Sequence, residues 1–115
     1  MKKIRTLKKN YEFKNVMTRG KYCCGKFITI YITKNKTEKN VIGIAISTKA
    51  AKAVKRNRIK RLIRENYRLK KDKIKNGYNI VFLWNQRNSI ELANFHNIDK
   101  DMNTIFEKLD LYEIN

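Results

Sequence analysis

Strict alternation marks residues 27–33, where Ile28, Ile30 and Ile32 fall on one side of an extended chain and Phe27, Thr29, Tyr31 and Thr33 on the other. Residues 41–47 repeat the pattern, with Ile42, Ile44 and Ile46 facing one way and Val41, Gly43, Ala45 and Ser47 the other. Two strands that each carry an isoleucine face predict a sheet covered on that side. Residues 21–24 begin a further strand, broken near Gly25, and residues 78–84 read as another. Elsewhere the spacing is helical. Residues 10–17 form a short helix whose larger apolar residues are Tyr11, Phe13, Val16 and Met17, with Gly20 as its stop. Over residues 51–73, Ile59, Leu62 and Ile63 gather on one side at roughly 100° per residue, and Ala51 and Leu69 extend the stripe. That stripe is the expected cover of the sheet. Asn76 and Gly77 end it. A last helix runs over residues 95–109, with Ile98, Met102, Ile105, Phe106 and Leu109 at spacings of three and four. The order is helix, two or three strands, helix, strand, helix: an α+β sandwich without internal repeat, one domain over residues 1–115, with residues 1–8 as a loose basic arm.

Charge changes the picture from a fold to a binder. The chain has 115 residues and a net charge of +18, enough length for a modest core and far more positive charge than a free protein benefits from. A polyanionic partner is expected. Between Lys52 and Lys75 only Glu65 and Asp72 oppose the basic residues, whereas Glu91, Asp99, Asp101, Glu107, Asp110 and Glu113 make the end of the chain milder. On the basic helix, Arg56, Lys60, Arg64 and Lys71 line the side opposite the apolar stripe, with Asn57, Arg61 and Arg68 beside them. Guanidinium forks match phosphate oxygens, and an asparagine amide both donates and accepts. The pattern points to nucleic acid.

The non-isoleucine face of the sheet offers different chemistry. Phe27 and Tyr31 stand two residues apart, flanked by Thr29 and Thr33, and exposed aromatics on a sheet stack unpaired bases. Phe13 and Met17, one turn apart on the first helix, could line the same groove. Equally, that helix could pack over the face and turn these residues into a second small core. Tyr31 is expected to reach solvent, because its hydroxyl needs a partner.

Catalysis by the protein finds no constellation. Asp99 and Asp101 diverge on a helix, Glu65 suits a surface ion pair, and His96 has no nucleophile near it in sequence. Cys23 and Cys24 are adjacent, poor geometry for a mutual disulfide, and one histidine leaves no zinc set. No apolar span of membrane length or signal-type segment is present, which places the chain in the cytoplasm.

The run Ala53-Val54-Lys55-Arg56-Asn57-Arg58-Ile59-Lys60-Arg61 resembles the hallmark of the bacterial ribonuclease P protein subunit, an Arg-Asn-Arg core inside an Ala-Val-x-Arg-Asn-Arg-x-Lys-Arg pattern. The likeness extends over Leu7-Lys8-Lys9, Glu12-Phe13 with Val16, Arg19-Gly20-Lys21, the strand ending at Tyr31, and Gly43 through Lys49. It implies an αβββαβα fold with a left-handed βαβ crossover. It also implies a partner in a large catalytic RNA and a second in precursor tRNA, whose 5′ leader is removed by that RNA with Mg²⁺. The metal is then held mainly by RNA and substrate, with none in the protein, and no protein partner is required. By the resemblance, Lys49, Arg56, Asn57, Arg58, Lys60, Arg61 and Arg64 face the RNA subunit, and Lys52 and Arg68 extend that surface by their charge and place on the basic helix. Phe13, Met17, Thr29 and Tyr31, joined by Phe27 from the aromatic face, form a cleft for the single-stranded leader. Where the family carries glycine and asparagine before the basic helix, this chain has Ala51 and Lys52, which implies a more helical entry. Met17 stands where an aromatic is frequent. A ribosomal or other structural RNA-binding protein would share this composition, and a self-sufficient nuclease would need metal ligands that the sequence does not gather.

Overall fold

The isoleucine alternation builds the centre of the molecule. A computed structural model describes residues 4–113. In chain order it contains β1 (Arg5–Thr6), α1 (Asn10–Arg19), β2 (Lys21–Cys24), β3 (Ile28–Lys34), β4 (Val41–Ala45), α2 (Ala53–Lys70), β5 (Tyr78–Trp84) and α3 (Phe95–Lys108). The strands form one sheet in the order β1-β4-β5-β3-β2. β5 pairs antiparallel with β3 and parallel with β4, so α2 carries the chain from β4 to a parallel neighbour, the βαβ unit.

Ile28, Ile30, Ile32, Ile42, Ile80 and Phe82 share one face of the sheet and are almost wholly buried. Each such side chain stabilises the fold by about 1.5–3 kcal/mol relative to exposure. α2 is the expected cover of this face, and α3 shares the task. α2 brings Ile59, Ile63 and Tyr67, and α3 brings Ile98, Met102, Ile105 and Phe106. The rings of Tyr67 and Phe82 meet edge-on at 5.9 Å, and those of Phe82 and Phe106 at 6.3 Å. The opposite face is covered too. α1 lies over it, burying Val16 with Leu7 and Val81. Gly20 ends α1 against β3, where a Cβ would stand 2.4 Å from the Ile32 carbonyl oxygen.

Three expectations are corrected. The basic arm over residues 1–8 is structured from Arg5 onward, while residues 1–3 lie outside the described part. Arg5 and Thr6 pair parallel with Val41 and Ile42, and the Leu7 N–H donates to the Ile42 carbonyl at 2.8 Å. The cause is Leu7, one apolar residue in a basic stretch, which is 8% exposed beneath α1. Glu12 then accepts from the Lys8 and Lys9 N–H groups and fixes the entry to α1.

The second correction is the phase of α2. Its buried positions are Ile59, Ile63, Asn66, Tyr67 and Lys70, while Leu62 is half-buried and Leu69 is 63% exposed. The stripe is therefore centred on the line from Ile59 to Lys70, not on Leu62 and Leu69. Two polar residues win these places because α3 supplies their partners. Asn66 Nδ2 donates to the Leu62 and Phe95 carbonyls, at 3.1 and 3.4 Å, and the Lys70 ammonium pairs with Asp99. Both groups can be buried only because they are bonded. The helix also begins at Ala53, after an extended Lys52, so Ala51 does not make the entry more helical.

Candidate nucleic-acid interface

With α2 phased on Ile59 and Lys70, its outward ridge is Asn57, Arg61, Arg64 and Arg68, spaced i, i+4, i+7 and i+11 and all exposed. Arg68 is neutralised by Glu65, three residues back. Arg61 and Arg64 meet no acidic side chain among the described residues. Lys60 and Arg56 form one flank and are half-buried; Arg58 forms the other. Arg56 Nη1 donates to the Ala51 carbonyl at 2.7 Å and Arg58 Nη1 to the Ala93 carbonyl at 3.1 Å. Each of these guanidinium groups is thus anchored by one N–H while others stay free. Lys49 and Lys52 stand exposed on the turn before α2, where the Ser47 hydroxyl accepts from the Lys49 N–H at 3.1 Å. The first turn of α2 holds no acidic residue, so its positive dipole end adds to the surrounding lysines instead of being offset. Such a ridge suits a phosphate backbone.

On the other side of the sheet, strand register places Tyr22, Tyr31, Val81 and Gly43 in one row across β2, β3, β5 and β4. α1 lies along this row. A Cβ on Gly43 would stand 2.5 Å from Phe13 Cε2, so the missing side chain is what lets the Phe13 ring rest on the sheet. Phe13, Met17 and Tyr31 come together around Val16 and Val81, each half-buried. They are at once a second small core and a partly open apolar surface, so both readings of this face hold in part.

Two proposed cleft residues do not join them. Phe27 is 8% exposed in the main core, its ring stacked on Trp84 at 6.2 Å. The chain bends before β3 begins, and Asp101 fixes the bend by accepting from the Phe27 and Ile28 N–H groups at 2.6 and 3.0 Å. That bend turns Phe27 out of the alternation that put it beside Tyr31. Thr29 lies on the expected face, but it is 5% exposed and its hydroxyl donates to Asn85 Oδ1 at 2.6 Å. A strand of RNA could not reach that hydroxyl without displacing Asn85.

The acidic side chains have structural uses: Asp99 holds Lys70, Asp101 holds the start of β3, and Glu65 holds Arg68. His96 is exposed. Among the described residues no group of three His, Cys, Asp or Glu side chains is placed to hold a metal ion. Among the described residues, Tyr67 and Tyr112 are the perturbed titrating groups, both raised chiefly by burial, Tyr112 to about 12. They belong to the core around Phe82 and Phe106, not to either surface. Sequence reasoning passed over Tyr22 and Asn85 and gave Gly43 no role in the site. The antiparallel pairing of β2 with β3 was the signal for Tyr22, while Gly43 and Asn85 matter only through contacts distant in sequence.

Comparison with known proteins agrees across three measures. The family model described as Ribonuclease P matches residues 1–110. The ribonuclease P protein component of Clostridioides difficile is 44% identical over 91% of this chain and 91% of its own length. That of Caldanaerobacter subterraneus is 38% identical over 96% and 94%. Among solved structures, the RNase P protein of Staphylococcus aureus superposes with a TM-score of 0.84 at 26% identity, covering 96% of this chain and all of the other. The RNase P protein of Thermotoga maritima gives 0.78 at 26% identity, covering 89% and 94%.

Proposed function

The chain belongs to the ribonuclease P protein family, and from that premise we propose that it is the RNA-binding subunit of a ribonucleoprotein that removes the 5′ leader of precursor tRNA. The observation that carries the reading is the outward ridge of α2, where Asn57, Arg61 and Arg64 stand exposed and the two arginines meet no carboxylate. That ridge, with Lys49, Lys52, Arg56, Arg58 and Lys60 around it, neutralises phosphates of the catalytic RNA. Arg68 contributes less, because Glu65 competes for its guanidinium. The α1 side of the sheet takes the unpaired leader against Phe13, Met17 and Tyr31. The two RNAs thus meet opposite sides of the molecule, one on the outer ridge of α2 and the other beside α1.

Mg²⁺ held by the RNA and the substrate supplies the Lewis-acid and nucleophile-activating chemistry of hydrolysis. The protein's residues bind, orient and screen. Among the described residues no helix is long and apolar enough to cross a membrane, and a partnership with these two RNAs fits work in the cytoplasm.

Salt-dependent binding to ribonuclease P RNA tests the ridge. Arg61→Ala and Arg64→Ala should each weaken assembly and flatten the log affinity against log salt slope by about one unit per lost phosphate contact. Unchanged slopes would remove the ridge from the interface. The cleft is tested separately, in the assembled enzyme. Tyr31→Ala should lower affinity for precursor tRNA and leave mature tRNA binding unchanged; equal losses for the two would sink the cleft.

A further inference from the structure

One aromatic residue on the α1 side of the sheet stands mostly in solvent, packed against a single neighbour. Tyr22 sits on β2, an edge strand, and is 64% exposed. Its register partner is Tyr31, and the two rings stack with centroids 5.4 Å apart and planes 29° from parallel. One face of the Tyr22 ring is covered by Tyr31, and the side chain is otherwise largely open to solvent. Among the described residues neither hydroxyl has a hydrogen-bond partner. Arg19 and Lys21, both exposed, bracket the turn into β2.

We propose that Tyr22 is a stacking residue for the single-stranded leader, holding one unpaired base beyond the reach of Phe13, Met17 and Tyr31. The inference rests on the leader reading above and adds to it a residue outside that cleft. The physical case is continuity. The row from Gly43 through Val81 and Tyr31 to Tyr22 runs from beneath α1 to the open edge of the sheet, and its exposed end carries an aromatic ring. A lone exposed tyrosine is a mobile, entropically costly platform; one already stacked on a half-buried neighbour is held in place before the base arrives. Arg19 and Lys21 supply cations for the phosphates that flank such a base. An edge strand also leaves room for a nucleotide to pass without meeting further protein.

The test uses the assembled ribonucleoprotein and precursor tRNAs whose leaders lengthen one nucleotide at a time. With the unchanged protein, affinity should step up when the leader becomes long enough to place a base on Tyr22. Tyr22→Leu keeps an apolar side chain against Tyr31 but has no aromatic face, and it should abolish that step, a loss of about fivefold or more. Tyr22→Phe should retain it. Shorter leaders and mature tRNA should bind equally to all three proteins, which also reports that the variants fold and assemble. If Tyr22→Leu keeps the step, or loses affinity equally at every leader length, Tyr22 is only packing for Tyr31 and the inference fails. If the unchanged protein gains nothing from any leader, the leader reading fails with it. Loss of the leader effect in Tyr31→Ala alone, with Tyr22→Leu unaffected, would keep the cleft and overturn only its extension.

Discussion

A methyl group on Gly43 would stand 2.5 Å from Phe13 Cε2 and 3.0 Å from Leu7 Cδ1, so one hydrogen atom decides how closely α1 lies on the sheet. Gly43→Ala should push the Phe13 ring outward and cost about 1–3 kcal/mol of stability, read from denaturant unfolding. In the assembled enzyme it should weaken precursor binding while leaving affinity for ribonuclease P RNA intact, because the α2 ridge lies across the core from Gly43. A loss of RNA assembly instead would mean that the two surfaces are not independent. At this scale the sequence is an uneven guide. Phe13, Met17 and Tyr31 could be found from spacing, because strand and helix periods place them locally. Phe27 could not be placed, since the bend that removes it depends on Asp101, far along the chain. Thr29 was on the right face, yet nothing near it announces that Asn85 would take its hydroxyl.

At the scale of elements, the seam between α2 and α3 sets the direction in which the arginine ridge points. Asn66 and Lys70 are buried there, held by the Phe95 carbonyl and by Asp99, and Leu69 is turned to solvent in consequence. Leu69→Gln should therefore change stability by less than about 0.5 kcal/mol. Asp99→Ala should cost about 1–3 kcal/mol, because it leaves the Lys70 ammonium buried without its counter-charge, while the partial exposure of Asp99 keeps the cost below that of a fully buried pair. Thermal or denaturant unfolding of the two variants checks both, and the reverse ranking would contradict the phase given to α2. The strands and helices were largely legible because alternation and helical spacing are local signals. The bounds of β2 and β5 and the start of α3 follow from them directly. The phase of α2 was not legible, since a stripe of leucines and isoleucines is the expected rule and polar burial against α3 breaks it. β1 escaped because two residues are too few to show a period.

The whole molecule is a small sheet with a covered core on each side and a net charge of +18. Such a charge repels itself, and binding an RNA relieves that repulsion as it screens the RNA's own phosphates. Mg²⁺ does similar screening for RNA, so a subunit of this kind matters most where Mg²⁺ is scarce. The central claim is therefore tested by cleavage of precursor tRNA by a bacterial ribonuclease P RNA at low Mg²⁺, with and without this protein. Strong stimulation at the correct 5′ site is the predicted result, reduced by Arg61→Ala through assembly and by Tyr31→Ala through the precursor. No stimulation, with both the RNA and the protein shown to be folded, would contradict the account.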